Sequence, residues 1–266
     1  MRDPIIALRD VRRRGQHANL ILQRYAAVST TGPKGDPAEK RQLFDAAIEA
    51  TKHPQTVKLY KDAYERWKAL QFPHEIKFEV KTCNRLIIGL GSENVLETGI
   101  TLHHTYGLPL LPGSAIKGLA AHYSHQVWGA TSADFLRSGA YHALLFGNTD
   151  ESGCVVFHDG WFVPGSANPP LIRENMTPHH LEWLDGGKLP TDFDSPTPVP
   201  FLAVEGRFLL RLSWNGPTAS MELVQDWLKI TRRLVEGALQ DWGIGGKTSS
   251  GYGRLQPSSP KPTQVG

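Results

Sequence analysis

The sequence predicts an α+β fold, with a helical N-terminal region leading into one sheet-forming domain, and three observations carry that reading. Residues 38–70 repeat apolar side chains at three- and four-residue steps, the period of a helix with one buried face. From Phe72 the period becomes two, with Ile76, Phe78 and Val80 alternating with polar neighbours. Beyond that point, further strand-like runs are interleaved with helical ones. At 266 residues and 40% hydrophobic content, the chain suits one large domain with a filled core.

Residues 1–36 read as irregular, with a short helix at Asn19–Ala27 and a turn-rich stretch from Ser29 to Pro37. Two helices follow, Ala38–Thr51 and Thr56–Leu70. The second carries Val57, Tyr60, Tyr64, Trp67 and Leu70 on one face and Lys58, Lys61 and Arg66 on another, so its aromatic stripe is expected in the core. The first strand begins near Ile76 and is expected to continue as a buried strand through residues 86–91. A polar linker, residues 92–109, contains His103 and His104. Pro112-Gly113 then turns the chain, Ser114 is the expected N-cap, and a helix runs to Trp128 before Gly129 stops it.

A short helix ends at Gly147, and residues 154–162 read as a second strand containing a turn. Residues 164–200 are rich in proline and polar groups without periodicity, the mark of a functional insertion or a partner-binding loop. The third strand is expected over Phe201–Trp214, with Phe208, Leu210 and Leu212 on one face. A long helix, Thr218–Trp242, sets Leu223, Trp227, Ile230, Leu234, Ala238 and Leu239 opposite Lys229, Arg232, Arg233, Glu236 and Gln240. Gly243 ends it, and Tyr252–Gln256 supplies a fourth strand. The order from Phe72 is β-α-β-β-α-β, the ferredoxin-like pattern that also builds RNA-recognition sheets. The expected organisation is a helical N-terminal extension (1–72), a ferredoxin-like domain (73–257) with its insertion (164–200) before the third strand, and a disordered tail (258–266).

Composition excludes some classes. No apolar run approaches the roughly 18–20 residues of a membrane span, and the apolar part of the N-terminus is too short for a signal peptide. Cys83 and Cys154 lack a CxxC partner, so buried free thiols in a reducing cytoplasm are expected. The net charge of +3 is mild but unevenly placed. Arg2, Arg9, Arg12, Arg13 and Arg14 face only Asp3 and Asp10 in the first fourteen residues. Localised basic patches on a near-neutral body suit a protein that holds a polyanion at defined places.

The chemistry concentrates near the C-terminus, in residues 243–254, where five glycines lie among Lys247, Arg254, Thr248, Ser249, Ser250 and Tyr252 with no acidic residue. Glycine lets a backbone approach a ligand closely, and inward amide N–H groups with two cations suit phosphate. Gly246-Lys247-Thr248 imitates the end of a nucleotide-binding P-loop. That motif, however, needs a glycine where Asp241 stands and a strand where a long helix stands. A second site is Lys117, placed against the dipole in the first turn of its helix beside Ser114; an anion docked on that helix end would explain it. The phosphate ligands expected are Lys117, Lys247, Arg254 and the loop amides, with Tyr252 or His103 stacking on bases and Arg12, Arg13 and Arg14 supplementing RNA or gripping a neighbour.

Three stretches together resemble the RAMP superfamily of CRISPR proteins. Gly107-Leu108-Pro109 with Leu111-Pro112-Gly113-Ser114-Ala115-Ile116-Lys117-Gly118 resembles the family's "G-x-P-x-x-P-G-S-x-x-K-G" segment. Leu145-Phe146-Gly147 followed by Val156-Phe157-His158-Asp159 is similar to its next signature, and Gly243–Gly253 to its Gly-rich loop. Within the superfamily, the Asn19-Leu20 helix, the Pro190–Pro196 segment leading into Pro198–Leu202, and the Lys-Thr-Ser-Ser-Gly-Tyr-Gly ending resemble the sixth-subunit family of the type III-B Cmr effectors. The resemblance covers roughly residues 75–256. It implies a non-enzymatic RNA-binding scaffold subunit at the end of a helical stack, holding the 3′ part of a guide RNA that pairs with target RNA. It also implies three protein neighbours: the backbone subunit, the small helical subunit and RAMP subunit one. No cofactor is implied. The residues expected on RNA are Arg12, Arg13, Arg14, His103, Ser114, Lys117, Gly245, Gly246, Lys247, Thr248, Ser249, Ser250, Gly251, Tyr252 and Arg254.

Two other classes compete. A metal-independent endoribonuclease would use His103 or His104, near Tyr106, as general acid or base on the ribose 2′-OH, but spacing fixes no second base. His179-His180 with Asp192 and Asp194 matches no closed metal-ligand set. A pure interaction module would turn Lys117 and Lys247 towards an acidic protein surface.

Overall fold

The computed structural model describes residues 17–24, 37–91, 96, 98–177, 198–217 and 220–258. Strand β1 (Glu75–Thr82) pairs antiparallel with β7 (Arg207–Trp214) along nearly its whole length, in the register Ile76↔Leu212, Phe78↔Leu210, Val80↔Phe208. Strand β8 (Leu255–Pro257) lies on the free edge of β1. On the free edge of β7 lie β3 (Val155–Phe157) and β4 (Gly160–Phe162), and the two-residue β2 (Leu110–Leu111) extends the sheet past β4. All these pairings are antiparallel, in the order β2-β4-β7-β1-β8.

Alternation decides which face is greasy. Phe78, Val80, Phe208, Leu210 and Leu212 project to one side and are buried there. On that side lie α4 (Gly113–Tyr123), continued by a π-helical turn to Trp128, and α6 (Met221–Asp241). The other side carries Glu75, Lys77, Glu79, Arg207, Arg211 and, from β4, Trp161. A face so charged would normally look to water, yet Arg211 is fully buried.

Helix α3 (Pro54–Ala69) is the reason. Its Tyr60 and Trp67 lie nearly flat on Trp161, with centroids 5.8 and 5.1 Å away and interplanar angles of 16° and 12°. The last carbonyls of a helix lack intrahelical partners and carry its negative dipole end. Arg211 donates to two of them, Trp67 O (2.9 Å) and Lys68 O (3.2 Å), with its guanidinium 4.5 Å from the Trp67 ring. The aromatic stripe read from the sequence is therefore core at Tyr60 and Tyr64, but Val57 and Leu70 at its ends are exposed. Helices α1 (Ala18–Gln23) and α2 (Pro37–Lys52) pack together beside α3. Helix α2 also meets a separate hairpin formed by β5 (Leu171–Met176) and β6 (Val199–Val204), where Arg173 pairs with Asp45 at 2.6 Å. The short helix α5 (Ala140–Phe146) ends at Gly147 as expected.

Several expectations need correction. Residues 86–91 are no ladder strand: Leu86 makes one bridge to Val204, and Leu86, Ile87 and Ile88 are buried as irregular chain. The expected third strand breaks at Glu205-Gly206 into β6 and β7, which join different sheets. The 164–200 insertion is not wholly irregular, because it contains β5. The buried stripe of α6 keeps the predicted Leu234, Ala238 and Leu239. In the N-terminal half it runs through Val224, Leu228 and Thr231, one position on from the predicted Leu223, Trp227 and Ile230, which leaves Leu223 half exposed. Helix α4 is capped by Pro112, so Ser114 is its second residue and not its N-cap. Both cysteines are free, but Cys83 is exposed and Cys154 half-buried. Among the described residues no helix is long and apolar enough to cross a membrane.

Candidate nucleic-acid interface

The chain between α6 and β8 folds back on the turn that follows β1. Gly246 N donates to Ile87 O, Gly253 N to Arg85 O and Ile244 N to Gly253 O, each at 2.8 Å. The amides of Ser250 and Tyr252 close on Lys247 O, and that of Gly251 on Thr248 O. Most inward amides thus bind the protein itself, so the loop is a knuckle with an exposed apex and not the open cup of N–H groups that the sequence suggested. At that apex Lys247 takes the left-handed conformation (φ 57°, ψ 35°) and a 3-10 turn, Thr248–Ser250, follows. Lys247, Ser249 and Ser250 are exposed, and among the described residues Lys247 forms no ion pair.

Tyr252 and Arg254 have structural partners. The Tyr252 hydroxyl donates to Glu174 Oε2 at 2.5 Å, and its ring meets Phe201 edge-on at 6.0 Å. Arg85 forms an ion pair with the same carboxylate. Arg254 Nη1 donates to Gln240 O at 2.8 Å, serving the last turn of α6. Beside Tyr252 opens a cavity of about 470 Å3 whose walls include Asn84, Arg85, Glu174, Glu205 and Ser250. Sequence reasoning named Ser250 and Tyr252 but missed Asn84, Arg85, Glu174 and Glu205. Arg85 and Asn84 were legible as a polar turn after a strand, whereas Glu174 lay in a stretch without periodicity and reaches the loop only through the β5–β6 hairpin.

The second expected site is differently furnished. The first amide of α4, Gly113 N, already holds a carboxylate, Asp159 Oδ1 at 2.7 Å. Ser114 and the half-buried Lys117 border a cleft of about 600 Å3 that also contains Asp150 and Glu151. An anion docked on the helix end would displace or face these carboxylates, so the expected docking there is not what the geometry favours. The cleft also touches Val155 and Asn215, at the Trp214 end of β7. The glycine loop is fastened at the Arg207 end, where Cys83 N donates to Arg254 O at 2.8 Å. At about 3.3 Å per residue, the eight residues of β7 separate the two sites by roughly 25 Å. The structure does not bring Lys117 and Lys247 together.

His103 lies in the aromatic cluster, its ring 4.7 Å from Tyr106 and 4.8 Å from Trp161. Its Nδ1 accepts from Thr105 N at 3.2 Å, and burial pushes its pKa below the ordinary value while Asp159 pulls the other way. The ring is thus oriented by its own turn. Arg12, Arg13, Arg14, His179, His180, Asp192 and Asp194 lie outside the described residues.

Comparison with known proteins adds four findings. Residues 79–256 match the model of the RAMP superfamily. The CRISPR system Cmr subunit Cmr6 of Pyrococcus furiosus is 30% identical, with 75% of each chain covered. The Cmr6 of Saccharolobus solfataricus is 25% identical over 54% of this chain and 51% of its own, so the chain spans about half the length of that relative. Among solved structures, a chain in the cryo-EM structure of the type III-B Cmr-beta bound to cognate target RNA aligns with a TM-score of 0.59. At 20% identity, covering 86% of this chain and 77% of that one, it speaks to the fold alone.

Proposed function

This chain belongs to the RAMP superfamily, and we propose that it is the Cmr6-type RNA-binding structural subunit of a type III-B Cmr effector, holding the 3′ part of the guide RNA without cutting RNA. The observation that carries the RNA-binding part is the apex of the glycine loop. An exposed lysine without a described acidic partner is fixed in a left-handed turn beside two exposed serines. Such an apex offers phosphate one cation and several hydroxyl donors at little ordering cost. The remaining expected contacts, from Lys117, Ser114, His103 and the arm at Arg12–Arg14, are secondary to it.

The proposed core is ferredoxin-like over residues 73–257, supported by the antiparallel order β4-β7-β1-β8, with residues 1–72 as a helical extension and 258–266 as a tail. Since α3 covers the outer sheet face through Trp67 and Trp161, RNA is proposed to run along the domain's loops and not across its sheet. The backbone subunit, the small helical subunit and RAMP subunit one are the proposed protein neighbours, in the cytoplasm. A histidine-based ribonuclease is the weaker reading: His103 is oriented by Thr105 N and enclosed by Tyr106 and Trp161, an arrangement suited to packing or stacking.

The test is Lys247→Ala and Lys117→Ala in the assembled complex. Lys247→Ala is expected to weaken RNA binding and to lower the slope of log affinity against log salt by about one, with assembly intact. Lys117→Ala should do less. Loss of assembly with RNA affinity unchanged would sink the RNA-holding reading in favour of a pure interaction module.

A further inference from the structure

We propose that the cavity beside Tyr252 is a nucleobase subsite that prefers guanine, an inference resting on the RNA-binding reading of the adjoining loop. Its chemistry is at odds with its neighbourhood. Lys247, Ser249 and Ser250 make an apex suited to phosphate, yet the cavity next to them contains the carboxylates of Glu174 and Glu205. A phosphate entering there would meet like charge. A neutral base would not, so the arrangement orients a nucleotide with its phosphate on the apex and its base turned inward.

The walls suit a flat ring. The Tyr252 ring forms one wall, pinned by its hydroxyl on Glu174. The Arg85 guanidinium, itself planar, is held by the same carboxylate. Aromatic rings and guanidinium planes are the usual stacking partners of unpaired RNA bases. Two acceptors are left over, beside the donors of the Ser250 hydroxyl and of the Arg85 N–H groups turned away from Glu174, which can serve a base carbonyl. Glu174 is already engaged by Tyr252 and Arg85, whereas the exposed Glu205 has no described ion-pair partner for its side chain. Asn84 Nδ2 points at Gly251 O (3.5 Å), which leaves its Oδ1 as the second acceptor. An ionised carboxylate accepts through two oxygens. Guanine presents two adjacent donors, N1–H and N2–H2, on one edge; adenine, cytosine and uracil each present a single donor group there. Glu205 is therefore the specificity-determining residue.

The experiment compares binding of the full chain, in its effector complex, to oligouridine carrying one central guanosine, inosine or adenosine. Guanosine is expected to bind about fivefold more tightly than adenosine, the low end for a bidentate pair at an exposed site. Inosine, which lacks the N2 amino group, should fall between them. Glu205→Gln is expected to bring the ratio of guanosine to adenosine affinities close to one, and an unchanged ratio would overturn the role of Glu205. Equal binding of all three, with Lys247→Ala still weakening every one, would overturn the guanine subsite and leave the RNA-binding reading standing. No effect of Lys247→Ala on any RNA would overturn both.

Discussion

Gly245 and Gly251 take nearly the same backbone conformation, φ +89° and +87°, for different reasons. A Cβ on Gly245 would stand 2.1 Å from the Ile87 carbonyl oxygen, while one on Gly251 would meet nothing within 4 Å. Gly251→Ala should therefore cost only the left-handed penalty, about 1–2 kcal/mol. Gly245→Ala adds a backbone collision that only loop displacement can relieve, so a loss of more than about 3 kcal/mol is expected. Denaturant midpoints of the two variants measure the difference; equal losses would mean the loop does not lie on Ile87 as described. The glycine count of this loop was plain in the sequence and suggested a ligand. Its contacts show that at Gly245 the missing side chain makes room for the protein's own chain.

At the scale of elements, α3 decides what the sheet can do. An open sheet with one helical face leaves its other face for ligands, but here Tyr60 and Trp67 close on Trp161, and Arg211 ties the helix end down. Trp67→Ala removes a stacked ring and uncovers a buried guanidinium, and a loss of roughly 3 kcal/mol is expected. Hydrogen exchange should then accelerate in α3 well before β7; parallel acceleration of both would show that α3 is not a separable strap. The existence of α3 was legible from its three- and four-residue period, and so were α2, α6 and the start of β1 within a few residues. What could not be read was where α3 docks, because periodicity identifies an apolar face and not its partner. The break of the expected third strand into β6 and β7 was hidden for a related reason. Residues 201–204 and 208–214 are mostly apolar, and although Glu205-Gly206-Arg207 interrupts them, a local interruption does not say that the chain leaves one sheet for another there.

For the whole molecule, titration offers a global measurement. Burial lowers the imidazole pKa of His103, His142 and His158 from the ordinary 6.5, with Arg211 adding to the effect at His158. The unfolded chain then binds protons that the folded chain refuses. Stability from these groups is complete above the unfolded value and is lost as pH falls through about 6.5 towards the folded values. Denaturant melts are expected to weaken progressively below that pH. His158→Asn should flatten part of the decline, since an amide keeps a polar partner for Ser213, now 2.8 Å from His158 Nε2, without titrating. A pH-independent midpoint would refute the burial of these rings.

By itself, the sequence determined the α+β class, the succession of most elements and the RAMP resemblance, because these depend on local period, on punctuation by proline and glycine, and on short motifs. Tertiary structure alone decided that Lys117 and Lys247 stand at opposite ends of β7. It also placed Asp159 on the amide where an anion was expected, and it assembled Arg85, Glu174 and Glu205 beside Tyr252 from three separate stretches. Side chains far apart in the chain meet only when packing fixes the register and direction of the elements that carry them, and no local pattern encodes that meeting.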